Sequence, residues 1–189
     1  AWRDAALLGE GAPHVAVAAL DVDDGGDIDL GLAAVRAPLR VALNDRLGRF
    51  HATTLSEPKI EAPVSGLLVT DVDKDGRTDL VSTSATGLLA AWRNTASRTP
   101  EGPKLGFEVW HTDARRWRAA TAADLDLDTW PDLLGLPSPD ESPGPIWARN
   151  DGRRLASAPL PVAPDTEAGR PLSGIGLADL DGDPLPDLL

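Results

Sequence analysis

Residues 71–80 read Asp-Val-Asp-Lys-Asp-Gly-Arg-Thr-Asp-Leu, and a stretch of similar form occurs four times in the chain. The other copies begin at Asp21, Asp124 and Asp179, so that successive first aspartates lie 50, 53 and 55 residues apart. Repeats of this length are typical of stacked structural units such as propeller blades or solenoid turns. A carboxylate at every second position of a tight loop suits a hard cation with oxygen ligands. The repeat therefore predicts both an architecture and a metal.

We call the four copies loops one to four, and each of them lies between short apolar runs. In the second copy these runs are 64–70 and 80–83, and comparable runs flank the other loops. Runs this short, bounded by Gly, Pro and Asp, favour buried strands over helices. A third run ends in a recurrent asparagine (Asn44, Asn94 and Asn150), which opens a turn before a fourth run. Each unit thus reads strand, acidic loop, strand, turn, strand, hairpin, strand.

Four antiparallel strands in about fifty residues match one propeller blade. The predicted fold class is all-β, with three complete β-propeller blades and part of a fourth, as a fragment of a larger propeller. The predicted blades span residues 13–56, 57–114, 115–162 and, for the start of the fourth, 163–189. Residues 1–12 are predicted to be the last strand of a preceding blade.

The predicted metal ligands are the carboxylates at positions one, three, five and nine of each loop and the main-chain carbonyl at position seven. Acidic turns are common without a metal, but four copies in register favour one, and up to four calcium ions are expected. Magnesium fits less well because it demands strict octahedral geometry. The candidate ligand residues are Asp21, Asp23, Asp27, Asp29, Asp71, Asp73, Asp75, Arg77, Asp79, Asp124, Asp126, Asp128, Trp130, Asp132, Asp179, Asp181, Asp183, Leu185 and Asp187.

The four loops differ in detail. Loop one has Gly25 at position five, so Asp24, Asp27 or a water must compensate there. At position six, Thr129 replaces the turn glycine in loop three and Pro184 replaces it in loop four. Loop two is therefore the most complete predicted site. An EF-hand is excluded because position twelve is not Glu and the flanks are strand-like.

The repeated loop, together with the hairpins that follow Asn44 and Asn94, resembles the FG-GAP/VCBS repeat family over residues 13–189. That family includes the calcium-loop propeller blades in the head of integrin α chains. The resemblance implies a protein- or glycan-interaction scaffold that binds through propeller loops and packs against further blades of the same or a companion chain. Two alternatives are part of a calcium-containing polysaccharide lyase and a docking subunit of a larger periplasmic or surface complex.

The composition limits the partners. Seventeen of the thirty acidic residues lie in the four loops, so the net charge of −12 is local to the presumed metal sites. A nucleic-acid partner would require basic patches on a basic domain, which the chain lacks. No apolar run reaches the roughly 18 residues of a membrane span. Because loosely built calcium sites fill where calcium is plentiful, an extracellular, cell-surface or periplasmic location is expected.

Outside the loops, no residues form an evident catalytic group, and a non-enzymatic role is expected. His14, His51 and His111 have no Ser or carboxylate partner in a triad pattern. Trp110 and Trp117 flank a basic stretch that contains Arg115, Arg116 and Arg118. The two rings could stack on a sugar, but packing between blades is favoured for them. Trp92 and Trp147 lie in equivalent third strands and are predicted to be core residues.

Overall fold

The structure is a computed structural model that describes residues 14–34, 39–46, 49–55, 64–84, 88–138, 144–160, 174–183 and 185–189. The predicted strand in 1–12 lies outside these ranges, and the blade boundaries stay a prediction. None of the described residues is helical, and so none of them forms a helix that could cross a membrane.

Three four-stranded antiparallel sheets follow one another along the chain. Sheet one comprises β1 (His14–Leu20), β2 (Asp29–Ala34), β3 (Arg40–Asn44) and β4 (Phe50–Thr54), and these strands pair in chain order. Sheet two comprises β5 (Val64–Thr70), β6 (Asp79–Ser84), β7 (Leu89–Asn94) and β10 (Phe107–Asp113). Sheet three comprises β11 (Trp117–Ala123), β12 (Asp132–Pro137), β13 (Ile146–Asn150) and β14 (Leu155–Pro159). The predicted all-β class with four-stranded blades is confirmed.

Two smaller sheets complete the described structure. The hairpin predicted after Asn94 has an extended turn, and within this turn a second pair of short strands forms, β8 (Ser97–Thr99) and β9 (Gly102–Lys104). Gly102 adopts a φ of 126°, which favours glycine and lets the chain reverse between these strands. The start of the fourth unit is a short pair, β15 (Leu177–Ala178) and β16 (Asp187–Leu188), joined by loop four.

The three large sheets share one irregularity. The pairing of the first strand with the second shifts between His14 and Ala16, between Val64 and Gly66, and between Trp117 and Ala119. A bulge increases the local twist of the strand that carries it. Because it recurs at the same place before loops one, two and three, the bulge is a feature of the three complete units.

The core consists of two apolar layers, one on each side of sheet two. Leu20 and Val41 from sheet one pack with Leu80, Trp92 and Phe107 from sheet two. The second layer joins Val81 and Leu89 with the third sheet, which contributes Trp117, Leu133, Ile146, Ala148 and Leu155. Both faces of sheet two are therefore buried, and the three sheets stack face to face as neighbouring blades do.

Trp117 fills the space between sheets two and three. Its side chain is completely buried, and the ring lies against the backbone of Gly135. A Cβ atom at residue 135 would meet this ring and would lie 2.7 Å from the carbonyl oxygen of Ala119. Trp92 is also buried, whereas Trp110 and Trp147 are half-buried. The Trp117 ring therefore packs between sheets two and three and has no exposed face on which a sugar could stack.

Candidate metal centres

Each acidic loop brings three carboxylates together. In loop two these belong to Asp71, Asp73 and Asp79, at positions one, three and nine, and one oxygen from each lies within 4.8 Å of the others. Calcium binds oxygen at about 2.3–2.6 Å, so ligand oxygens around one ion are separated by up to about 5 Å. The spacing fits calcium. The same three positions converge in the other loops: Asp21, Asp23 and Asp29; Asp124, Asp126 and Asp132; Asp179, Asp181 and Asp187.

The carboxylate at position one closes the loop on itself. In loop two, Oδ1 of Asp71 accepts the N–H of Asp75 at 3.1 Å, and Oδ2 accepts the N–H of Gly76 at 3.0 Å. Asp21 and Asp124 accept the corresponding pairs of N–H groups in loops one and three. The loop backbone therefore folds around the position-one carboxylate and fixes its orientation.

The carboxylate at position nine joins the loop to the third strand. Oδ2 of Asp79 accepts the N–H of Val72 at 2.9 Å, and Oδ1 accepts the N–H of Asn94 at 2.7 Å. Asp29 and Asp132 make the same two bonds, and Asp187 accepts the N–H of Leu180. The side chains of Asp29, Asp79 and Asp132 are buried. Sequence reasoning interpreted the asparagines as turn residues and missed this contact.

The tight path of the loops requires positive φ at two positions. Position four has a φ between 57° and 59° at Asp24, Lys74 and Leu127, and 84° at Gly182. Position six is glycine in loops one and two, but in loop three it is Thr129 with a φ of 77°. A β-branched residue is strained in this region. Thr129 keeps the conformation, and its N–H donates to Oδ2 of Asp124 at 2.8 Å. Pro184 lies outside the described residues.

In loop one, which has no carboxylate at position five, the side chain of Asp27 lies close to that position. A Cβ atom at Gly25 would lie 2.5 Å from Oδ1 of both Asp23 and Asp27. The carboxylate of Asp27 therefore lies beside the space that a side chain at position five would use. Of the expected substitutes, Asp27 is the residue placed there, while Asp24 is exposed. Arg46 pairs with Asp27 at 3.4 Å.

The carboxylates at position five lie outside the three-membered clusters. Oδ1 of Asp75 accepts the N–H of Arg77 at 2.8 Å, and Asp128 and Asp183 accept the N–H groups of Trp130 and Leu185 in the same way. These bonds tighten the turn around position seven. Ligation by Asp75, Asp128 and Asp183, and by the carbonyls of Arg77, Trp130 and Leu185, stays a prediction.

Arginines border the clusters, and sequence reasoning did not assign them. Arg93 precedes Asn94 and lies 3.5 Å from Oδ2 of Asp73. Arg149 precedes Asn150 and pairs with Asp126 at 2.5 Å and with Asp128 at 3.1 Å. The shared position before the asparagine was the available sequence signal. These guanidinium groups offset part of the carboxylate charge, so an incoming cation must compete with them.

Burial acts against the charge of the position-nine carboxylates. Burial raises the pKa of Asp79 to about 6, against the lowering effect of its bonds to the N–H groups of Asn94 and Val72. Burial also raises the pKa of Asp29 and of Asp132 above the usual range. Nearby carboxylates add to the effect, because Asp73 and Asp75 repel a charge on Asp79. A divalent cation would relieve this repulsion.

The histidines are placed away from the acidic clusters. The imidazole of His51 lies 3.8 Å from Oδ2 of Asp45 on the exposed side of sheet one. His111 lies beside Trp110, and burial lowers the pKa of its imidazole. The side chain of His14 lies outside the described residues. In the basic stretch, Arg115 donates to the carbonyl of Ser157, and Arg118 donates to the carbonyl of Pro137.

Comparison with known proteins identifies one part of the chain. The family model of the FG-GAP-like repeat matches residues 71–135, from the first aspartate of loop two through loop three into β12. No curated protein matches the chain significantly. The matched segment contains two complete acidic loops, the last three strands of sheet two and the first strand of sheet three. Residues 71–135 of this chain are therefore similar to an FG-GAP-like repeat.

Proposed function

We propose that this chain is a calcium-stabilised β-propeller segment that serves as a protein- or glycan-interaction scaffold in an extracytoplasmic protein. The observation that carries the proposal is the fourfold recurrence of one cluster, in which carboxylates from positions one, three and nine converge within 4.8 Å. Oxygen-only ligands on an adaptable loop select calcium over softer metals. When bound, calcium supplies charge neutralisation and a cross-link between the two strands that flank each loop.

The residues of the loops fit this role. Asp71, Asp73 and Asp79 would hold the ion in loop two, and their backbone partners already fix the carboxylates in place. Loops one and three repeat the arrangement with buried position-nine carboxylates. Loop four is more exposed, since Asp179 and Asp181 are exposed and Asp187 is half-buried. Loop four has Pro184 at position six, where the other three loops have a positive φ that proline cannot adopt, so we expect it to bind calcium less firmly than loop two.

An interaction role is supported by the surface between the sheets as well as by the repeat family. A groove of about 640 Å³ lies between the outer strands of sheets one and two. Its lining combines the polar residues Thr53, Thr54, Thr95 and Glu108 with apolar residues that include Leu43 and Phe107. A mixed lining of this kind suits a ligand with both polar and apolar groups, and the groove lies beside β10.

The proposed role is non-catalytic, and the lyase alternative has a simple test. Depolymerisation of an acidic polysaccharide by the purified protein would identify a lyase. Stoichiometric co-purification with one protein from the natural source would instead identify a docking subunit. Calcium-dependent binding of a protein or glycan without any turnover supports the scaffold.

Native mass spectrometry tests the metal proposal directly. We expect the protein to carry up to four calcium ions, all removed by a chelator, and Asp73→Ala to lower the count by one. Asp151→Ala is the matched control, because Asp151 caps the turn to Arg153 and Arg154 and belongs to none of the clusters. A wild-type mass that chelation leaves unchanged contradicts the proposal.

A further inference from the structure

The asparagine that ends the third strand reaches into the neighbouring acidic loop. Nδ2 of Asn94 donates to the carbonyl of Val22 in loop one at 2.9 Å, and Nδ2 of Asn150 donates to the carbonyl of Val72 in loop two at 2.9 Å. Both asparagines are buried, at 2% and 0% exposure. The same amide groups donate to their own loops, at the carbonyls of Thr78 and Pro131. Each asparagine therefore spans two loops.

These contacts connect the position-nine carboxylates of three loops. The main-chain N–H of Asn94 donates to Asp79, while its side chain holds Val22, whose own N–H donates to Asp29. The next link has the same form. Asn150 donates its N–H to Asp132 and holds Val72 by its side chain, and the N–H of Val72 donates to Asp79. The hydrogen bonds thus run without a break from Asp29 through Asp79 to Asp132.

Two exposed side chains make further contacts between neighbouring units. Arg98, on the hairpin of the second unit, lies 3.4 Å from Oδ1 of Asp23 in loop one and also donates to the carbonyl of that residue. Lys74 in loop two donates to the hydroxyl of Thr129 in loop three at 2.6 Å, and its ammonium group lies 5.0 Å from the ring of Trp130. Besides the asparagine contacts, unit two therefore also contacts loop one through Arg98, and loop two also contacts loop three through Lys74.

We propose that the calcium sites of loops one, two and three are thermodynamically coupled, and that Asn94 and Asn150 are the positioning residues that couple them. The inference rests on the proposed calcium function. An ion that orders loop two fixes Val72 and Asp79, and thereby fixes Asn150 and Asp132 before an ion enters loop three. A second ligand that meets a site already ordered loses less conformational entropy on binding. Coupling between sites of this kind typically changes affinity by about five-fold to 150-fold.

Terbium binding offers a reading of loop three. Terbium is a hard cation that substitutes for calcium, and its emission is sensitised by a nearby indole. Trp130 lies inside loop three, and its ring is 5.0 Å from the ammonium group of Lys74 in loop two. The emission lost in Trp130→Phe therefore reports loops two and three together, and the part of it that is also lost in Asp124→Ala, which removes a ligand of loop three, reports loop three. We expect Asp73→Ala, which removes a ligand of loop two, to weaken terbium binding at loop three by about five-fold or more.

A double-mutant cycle assigns the coupling to the asparagine. In an Asn150→Ala background, Asp73→Ala is expected to weaken terbium binding at loop three less than it does in the wild type, because the contact of Lys74 with Thr129 remains but the asparagine contact is lost. Asn44→Ala is the matched control. The side chain of Asn44 donates to Ile28 of its own loop and, among the described residues, reaches no neighbouring loop. In the Asn44→Ala background, Asp73→Ala must weaken terbium binding at loop three as much as it does in the wild type.

A second series keeps both asparagines and does not depend on the folding of Asn150→Ala. Asp73→Ala removes a ligand from loop two, which neighbours loop three. Asp23→Ala removes a ligand from loop one, which is separated from loop three by loop two. We expect the loss of terbium affinity at loop three to be larger for Asp73→Ala. Equal affinity in wild type, Asp73→Ala and Asp23→Ala overturns the coupling but leaves calcium binding intact. Absence of terbium and calcium from every loop would instead refute the proposed function.

Discussion

The carboxylate at position nine of loops one, two and three is buried, and burial disfavours its charged form. In loop two, the side chain of Asp79 has no solvent-exposed surface and accepts hydrogen bonds from two backbone N–H groups. Burial nevertheless raises the pKa of Asp79 to about 6. The backbone bonds favour the charged form, but burial and the neighbouring carboxylates outweigh them. The side chain is therefore organised for a cation and is under electrostatic stress without one.

This imbalance predicts an opposite pH dependence with and without calcium. The pKa of Asp79 in the folded protein lies above its unfolded value of 3.8. When a chelator has removed calcium, the contribution of Asp79 to stability is therefore present below about pH 4 and is lost as the pH rises through about 6. Calcium requires the ionised form, so calcium should stabilise the protein more at pH 7 than at pH 5. The expected difference is on the order of 1 kcal/mol after allowance for solvent screening.

Denaturant unfolding at pH 5 and pH 7, each with calcium and with chelator, measures this difference. Asp79→Asn removes the titration and is the control. A calcium effect on the free energy of unfolding that is the same at both pH values would contradict the assignment.

Arg149 is the second residue whose effect can be predicted. Its guanidinium pairs with Asp126 and Asp128, and these carboxylates raise its pKa. Since the positive charge competes with calcium for loop three, Arg149→Gln is expected to raise calcium affinity there and to lower the stability of the metal-free protein. Arg154→Gln is the control, because Arg154 pairs with Asp151 outside the loops. Terbium emission from Trp130 provides the measurement, and weaker binding by Arg149→Gln would refute this competition.

At the scale of the element, the sequence alone predicts most of the repeat unit. The two-residue alternation of aspartates locates each loop, and the apolar runs locate the four strands around it. The contacts between units were not predictable in the same way. The pairing of β8 with β9 inside the turn after Asn94 was not predicted, and the reach of Asn94 to Val22 spans 72 residues of sequence. Local pattern carries no information on which carbonyl an amide group will meet across a sheet interface.

Gly135 in β12 provides a test of how closely sheets two and three pack. Gly135→Ala is expected to destabilise the protein by about 1–3 kcal/mol, because the new methyl group would displace the ring of Trp117 from a filled interface. Gly31→Ala in β2 is the matched control, since a Cβ atom there would meet its nearest neighbour at 3.6 Å, an ordinary contact. Urea unfolding of both variants measures the effect. If the two variants are equally stable, the packing at Trp117 is looser than described.

At the scale of the whole molecule, the three described sheets form a row held by two apolar layers and by polar links along one edge. The apolar layers contain Trp92 in the first and Trp117 in the second. At the outer strands, Ser157 in sheet three donates to Asp113 in sheet two at 2.5 Å. The acidic loops supply the other links, so the stability of the stack should depend on the state of the loops.

Calcium-dependent thermal unfolding of the wild-type protein tests this account most directly. We predict that a chelator lowers the melting temperature by several degrees, that added calcium restores it, and that Asp73→Ala has a smaller response than the wild type because loop two no longer binds. A melting temperature that is the same in calcium and in chelator would contradict the claim that the acidic loops are structural calcium sites.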